Sequence, residues 1–235
     1  MKIMIFLDNS NLFKGIRKLY QDRGQDRVID YYKINKFILK YLKNNQQYKD
    51  EKLSHIRTYY YDGEYTDNLI TKIKYHLNSI PNLPENQEEI NKVREILDKA
   101  IKRMESQKKE MKKCSWFYFF ETRLKPLQYR EKEGVFQKGV DVQLAVDLVS
   151  NAYLNNYDVA VVFSGDIDLY ESVKMVKTLG KHVIIISHRD LMANKMIEIS
   201  DYYINICNLD DKQLDEFTHI FQPREINQSD SLCSQ

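Results

Sequence analysis

The chain has 235 residues, of which 43% are hydrophobic and 30% charged, and its formal net charge is +2. These proportions are typical of a globular protein with a substantial core. The longest apolar runs have the length of a strand, so no membrane-spanning helix is expected. The first residues predict a core strand and show no basic region followed by an apolar one, so no signal peptide is expected.

Cysteine usage and charge distribution narrow the class of protein further. Cys114, Cys207 and Cys233 lie far apart without CxxC spacing, which argues against a disulfide framework or a zinc site and predicts a cytoplasmic location. From Leu209 onward acidic residues outnumber Lys and Arg, whereas the rest of the chain is net positive. A mildly basic body is compatible with a nucleic-acid partner but does not establish one.

Strand-like runs alternate with helical stretches along most of the chain. The runs Val159–Phe163 and His182–Ser187 are continuously apolar, as in a parallel sheet covered on both faces. The helical stretch between them completes a βαβ unit with a right-handed crossover. We predict an α/β fold with a doubly wound, Rossmann-like, mainly parallel sheet of about five or six strands. The predicted strands are 2–7, 54–61, 115–121, 158–163, 181–187 and 202–206.

Residues 66–113 interrupt this alternation. Pro81 and Pro84 separate a helix near 66–79 from a longer one near 85–113, which carries an apolar stripe at helical spacing. We interpret the pair as an inserted helical arm that packs on the sheet, covers the site or forms a homodimer with another subunit. The expected domain is 1–208, followed by an acidic tail at 209–235 whose last dozen residues are predicted to be disordered.

Aspartates recur where strands end or helices begin. Asp8 follows the first strand, Asp141 begins a helix after Lys138-Gly139-Val140, and Asp166 and Asp168 follow the fourth strand. Open α/β sheets bind ligands at the carboxyl ends of their strands, so these side chains are expected to lie close together. Clustered carboxylates repel one another unless a cation lies between them, and hard oxygen ligands suit Mg²⁺ or Mn²⁺.

Each aspartate also has a structural explanation. Asp8 fits the cap of a helix, Asp166 or Asp168 fits the cap of the helix near 168–179, and Asp141 is favoured by a helix dipole. Asp147 lies six residues beyond Asp141, about 240° around the helix, so we interpret it as structural or supporting. Taken together on adjacent strand ends, the other four favour a site.

Several features permit contact with nucleic acid. Lys138 precedes a helix start and fits a phosphate contact, although an exposed loop lysine is equally expected. The basic stretch Lys99–Lys113 fits either a track for an RNA backbone or a solvated helix face. The aromatic runs Tyr59–Tyr61 and Phe117–Phe120 contain residue types that stack on bases, but alternating residues of a buried sheet explain them more simply.

Three motifs in order resemble the NYN domain, and specifically its bacterial LabA-like branch within the PIN-like nuclease superfamily. They are Asp8-x-x-Asn11, Lys138-Gly139-Val140-Asp141 and Ser164-Gly165-Asp166-x-Asp168. The resemblance covers roughly 1–206 and implies a Rossmann-like sheet, ribonuclease activity, and Mg²⁺ or Mn²⁺ held by Asp8, Asp141, Asp166 and Asp168. Asn11 and Ser164 would orient ligands or substrate. Leu169 stands where the family usually has an aromatic residue.

These observations predict a metal-dependent endoribonuclease that hydrolyses single-stranded or structured RNA by in-line attack. One alternative is an RNA-binding regulatory module with little catalysis, although such a module does not need clustered like charges. Another is a different Mg²⁺-dependent phosphoryl hydrolase, such as a haloacid-dehalogenase-type phosphatase. That class requires an Asp-x-Asp pair on the first strand, whereas the residue two after Asp8 is Ser10.

Overall fold

The computed structural model describes residues 1–24 and 26–220. The strands of this part are β1 (Lys2–Asp8), β2 (Arg27–Ile29), β3 (Ser54–Glu64), β4 (Phe120–Pro126), β5 (Gln128–Arg130), β6 (Gly134–Phe136), β7 (Val159–Phe163), β8 (His182–Ser187), β9 (Tyr202–Asn205) and β10 (Thr218–Ile220). The α-helices are α1 (Asn9–Arg23), α2 (Tyr31–Lys43), α3 (Asp67–Ser79), α4 (Gln87–Cys114), α5 (Val140–Tyr153), α6 (Tyr170–Thr178), α7 (Asn194–Ile199) and α8 (Asp211–Asp215). The predicted α/β class is confirmed.

Six strands form one parallel sheet in the order β4–β3–β1–β7–β8–β9. Alternate residues of β1 enter different cores: Ile3 and Ile5 pack with α1 and α2, whereas Met4 and Phe6 pack with α5, α6 and α7. Both faces of the sheet are therefore apolar and covered by helices, which is why its central strands appear in the sequence as continuous apolar runs. The predicted doubly wound, parallel sheet is confirmed.

The order of the strands reverses between β1 and β7. From β1 the chain moves outward through β3 to β4, and it then returns to β7 on the other side of β1 and continues to β8 and β9. Ligands of open α/β sheets bind at such a switch point, outside the carboxyl ends of the strands. The register pairs Leu7 with Phe163, so Asp8 and Ser164 are the next residues on the two strands.

The arm consists of α3 and α4, which begin and end within two residues of the predicted helices. The two helices share one apolar cluster, and Tyr129 of β5 and Val135 of β6 pack against it. The apolar stripe of α4 is thus covered within the chain, and the homodimer through the arm stays a prediction. The buried residues of this cluster are Leu69, Ile70, Ile73, Val93, Leu97 and Ala100.

The chain after Leu209 packs onto the domain as far as it is described. Leu214 and Phe217 are fully buried, and β10 pairs antiparallel with β2. The Arg27 guanidinium lies 2.5 Å from the Asp215 carboxylate. The folded part therefore continues past the expected boundary at residue 208, while the predicted disorder of 224–235 lies outside the described residues.

The predicted strand at 115–121 is wrong in its position. Helix α4 continues to Cys114, and β4 begins only at Phe120. Phe119 has a φ of 58°, a left-handed conformation that turns the chain into the strand. Consequently Tyr118 is exposed rather than buried in the sheet, whereas Tyr59–Tyr61 are buried as expected.

The cysteines and the apolar character of the helices also bear on the sequence predictions. Cys114 and Cys207 are free thiols, and Cys233 lies outside the described residues. Within 1–24 and 26–220, no helix has both the length and the apolar character needed to cross a membrane.

Candidate active site

Asp8 lies where β1 passes into α1, and it is only 3% exposed. One carboxylate oxygen accepts hydrogen bonds from the Asn11 backbone N–H at 3.1 Å and the Ser10 hydroxyl at 3.0 Å. The other oxygen accepts a hydrogen bond from the Ser164 hydroxyl at 3.0 Å. Burial raises the pKa of Asp8, and these hydrogen bonds and nearby Lys14 oppose the rise. Asp8 therefore caps α1 and also presents a carboxylate of fixed orientation at the switch point.

Ser164 and Gly165 connect this carboxylate to the loop after β8. Ser164 is fully buried, so its hydroxyl is held against Asp8. A Cβ on Gly165 would lie 2.4 Å from the backbone oxygen of Leu191, which no larger residue can avoid without moving the backbone. The Ser-Gly pair is thus required by hydrogen bonding and by close packing, respectively.

Asp166 and Asp168 follow on the same turn. A carboxylate oxygen of Asp166 accepts a hydrogen bond from the backbone N–H of Asp168 at 3.1 Å, so Asp166 caps the short 3-10 turn Ile167–Leu169. Asp168 is exposed, and its carboxylate forms no hydrogen bond or ion pair with another described residue. Capping therefore accounts for one of the two carboxylates but not for the other.

Asp141 lies in the first turn of α5, after Gly139 turns the chain with a φ of 80°. Burial is the largest cause that raises the pKa of Asp141, and the charges of Asp8, Asp166 and Asp168 raise it further. The charges of the other three predicted aspartates therefore all act on Asp141.

The donor set suits a hydrated hard cation rather than a closed cage. Among residues 1–24 and 26–220, no group of three or more Asp, Glu, His or Cys side chains is arranged to hold a metal ion directly. Mg²⁺ commonly keeps several waters and takes only one or two carboxylates. Asp8, Asp141, Asp166 and Asp168 supply carboxylate oxygens of the kind that suits Mg²⁺ or Mn²⁺ bound partly through water.

The two other predicted contact residues are placed differently. The Asn11 side-chain oxygen accepts a hydrogen bond from the Ser187 hydroxyl at 2.9 Å, so this side chain links α1 to the end of β8. Lys138 is exposed just before α5 and forms no ion pair with another described residue. Asn11 thus supports the edge of the sheet, and Lys138 is accessible to an anion.

A further carboxylate near Asp8 was not among the predicted site residues. Asp62 of β3 accepts hydrogen bonds from the Asn9 side-chain amide at 2.7 Å, the Tyr60 hydroxyl at 3.1 Å and the Gly63 backbone at 2.8 Å. Burial raises its pKa, and the charge of Asp8 adds to the rise. Asp62 directly follows the predicted strand 54–61, and this position was the available signal in the sequence. In the structure it lies inside β3, which extends three residues beyond the predicted strand.

Fold and site together define a class. A parallel α/β sheet with aspartates gathered at its switch point is a Rossmann-like protein with a polar ligand site. The NYN domain model matches residues 2–207, and the chain belongs to this family. NYN domains are part of the PIN-like nuclease superfamily, which indicates a nuclease.

Other comparisons are more distant. A protein of unknown function from Vibrio parahaemolyticus is similar in structure at 18% identity, with a TM-score of 0.49, over 93% of this chain and 96% of that one. No curated protein matches the sequence.

Proposed function

We propose that the protein is a Mg²⁺- or Mn²⁺-dependent endoribonuclease of the LabA-like branch, with Asp8, Asp141, Asp166 and Asp168 as its catalytic residues. The observation that carries this proposal is the hydrogen bond from Ser164 to Asp8, which joins Asp8 to the turn that holds Asp166 and Asp168 at the switch point. Burial and the charges of Asp8, Asp166 and Asp168 raise the pKa of Asp141 beside them. Clustered carboxylates at a switch point cost folding free energy, and a divalent cation offsets this cost.

The four aspartates have different surroundings and therefore different tasks. Asp8 is held by Ser10, Asn11 and Ser164, so it gives the site a fixed anchor. Asp168 is exposed and is therefore accessible to water and to a phosphodiester. When bound, the metal supplies charge neutralisation at the phosphoryl group and activation of the attacking water.

The choice of RNA as substrate rests on the family and on charge. Lys138 is exposed and provides a contact for a phosphate backbone, and the body of the chain is net positive. The free thiols of Cys114 and Cys207 are compatible with the cytoplasmic location that we propose.

Cleavage assays test this function. Full-length protein with Mn²⁺ or Mg²⁺ is expected to cleave RNA, and EDTA or Asp166→Asn is expected to abolish cleavage while the circular dichroism spectrum is retained. Parallel reactions on single-stranded and duplex DNA establish the substrate class. Undiminished cleavage by Asp166→Asn would contradict the assignment.

A second candidate is an RNA-binding regulatory module with little turnover. It is favoured by the absence, within the described residues, of carboxylates packed for direct metal ligation. Salt-dependent RNA binding without any metal-dependent cleavage would support this function instead.

A further inference from the structure

A cleft of about 420 Å³ lies between α1 and α4, beside the candidate active site. Asn9 and Ser10, which directly follow Asp8, line the cleft on the side of α1, and Arg103 and Gln107 line it on the side of the arm. Gln107 fixes this wall because its amide donates to the Gly63 carbonyl at 2.8 Å. Sites for small organic groups commonly enclose about 300–1,000 Å³, so the cleft has room for a base.

An exposed aromatic ring, Phe13, and two exposed cations, Lys14 and Arg103, are among the residues that line the same cleft. Phe13 is 41% exposed, and the Arg103 guanidinium lies 5.7 Å from the centre of its ring. Lys14 is exposed and close enough to Asp8 to lower the pKa of that carboxyl. Neither Lys14 nor Arg103 forms an ion pair with another described residue. An exposed ring beside unpaired cations is a typical platform for a base and its flanking phosphates.

Two carboxyl groups that line the cleft, Asp62 and Glu110, differ in the number of hydrogen bonds that they accept. Asp62 already accepts three hydrogen bonds within the chain. Glu110 is partly buried, and no described residue donates a hydrogen bond to it. Burial raises the pKa of Glu110, and the charge of Asp62 adds to the rise. The carboxylate oxygens of Glu110 remain accessible to solvent, so a ligand in the cleft can donate to them in place of water.

We propose that this cleft binds an unpaired nucleobase of the RNA strand whose scissile phosphate lies at the four aspartates, with a preference for guanine. The base stacks on Phe13, while Lys14 and Arg103 contact the phosphates beside it. Glu110 accepts hydrogen bonds from the Watson–Crick edge of the base, where guanine presents donors at N1 and N2. This inference rests on the proposed function for its ligand, but it concerns binding rather than cleavage.

The test measures binding in full-length Asp166→Asn protein, so that turnover does not consume the probe. The probes are fluorescent oligouridine RNA with one central guanine and the same RNA with uridine in its place, at one fixed salt concentration. Phe13→Ala is expected to weaken binding about fivefold or more, whereas Phe13→Trp is expected to bind as tightly as Phe13 because it keeps an aromatic ring. Arg103→Gln is expected to weaken binding and to lower its salt dependence, and Glu110→Gln to remove the preference for the guanine probe.

The matched control is Lys109→Gln, which removes the same charge about 240° around α4 from Arg103. If Phe13→Ala and Arg103→Gln bind both probes as tightly as Lys109→Gln, the cleft proposal is overturned. Loss of cleavage in Asp166→Asn would then still support the proposed function. If the unaltered protein neither binds nor cleaves RNA, both proposals fail.

Discussion

Helix α5 carries two aspartates in opposite electrostatic surroundings. Asp141, in its first turn, faces the charges of Asp8, Asp166 and Asp168. Asp147, on another face of the helix, accepts a hydrogen bond from the Tyr61 hydroxyl at 3.0 Å. The Arg123 guanidinium lies 3.8 Å from the same carboxylate oxygen. The same residue type on the same helix is thus paired at one position and opposed by like charges at the other.

This difference separates a structural carboxylate from a candidate ligand. A carboxylate that accepts from a hydroxyl and lies near a guanidinium stabilises the fold, so it needs no further partner. One surrounded by like charges destabilises the fold until a cation binds. The predictions below test whether the two aspartates differ in this way.

The largest expected effect is on catalysis. Asp141→Asn is expected to lower kcat for RNA cleavage at least about 100-fold, since even groups that only support metal ligands account for about 10- to 100-fold. Asp147→Asn is expected to change kcat less than about threefold, because Asp147 contacts Tyr61 rather than the site. Steady-state kinetics on a fluorescent RNA measure both, and equal losses would remove the distinction.

The next largest effect is on stability, and here substitution of Asp147 is expected to cost more than substitution of Asp141. Asp147→Ala leaves the hydroxyl of the fully buried Tyr61 without its acceptor and is expected to lower the free energy of unfolding by about 1–3 kcal/mol. Asp141→Ala relieves repulsion and is expected to leave stability unchanged or higher. Urea denaturation without metal compares them, and a larger loss in Asp141→Ala would show that its carboxylate is structural.

A smaller effect is the response to metal. At ten times its dissociation constant, Mn²⁺ is expected to stabilise the native protein and Asp147→Asn by about 1.4 kcal/mol, which is about 3–6 °C in Tm. Asp141→Asn is expected to show little shift. Thermal unfolding with Mn²⁺ or with EDTA gives the comparison, and an equal shift in all proteins would place the metal elsewhere.

The smallest effect is on the pH dependence of stability without metal. The pKa of Asp141 is raised above 3.8, so the folded protein binds more protons than the unfolded chain between the two pKa values. The stabilising contribution is present below 3.8 and is lost as pH rises through the folded pKa. Asp141→Asn is expected to flatten this decline in urea titrations across pH, whereas an unchanged slope would show that Asp141 does not cause it.

Much of the proposed site could be predicted from local sequence, because the carboxyl ends of parallel strands lie at the same end of a sheet. The apolar runs located β1 and β7, so Asp8, Asp166 and Asp168 were expected at that edge. The strand predicted at 115–121 failed because α4 continues to Cys114 and no local signal marks the turn at Phe119.

Contacts between distant segments could not be predicted. The three-residue strands β2 and β10 pair across most of the chain, and neither has an apolar pattern long enough to identify it. The cleft between α1 and α4 likewise depends on where the arm docks. That position is set by packing and by the hydrogen bonds of Gln107 to Gly63 and Tyr65.

The sequence by itself determined the doubly wound sheet and the helices α3 and α4, and it predicted four aspartates at one end of the sheet, because hydrophobic periodicity and strand-end chemistry are local. Only the tertiary structure decided that Asp147 accepts a hydrogen bond from Tyr61 of β3 and lies near Arg123 of β4. It also decided that Asp62, Glu110, Lys14 and Arg103 meet around one cleft. Such neighbours are joined across long stretches of chain, so their proximity depends on packing that no local pattern encodes.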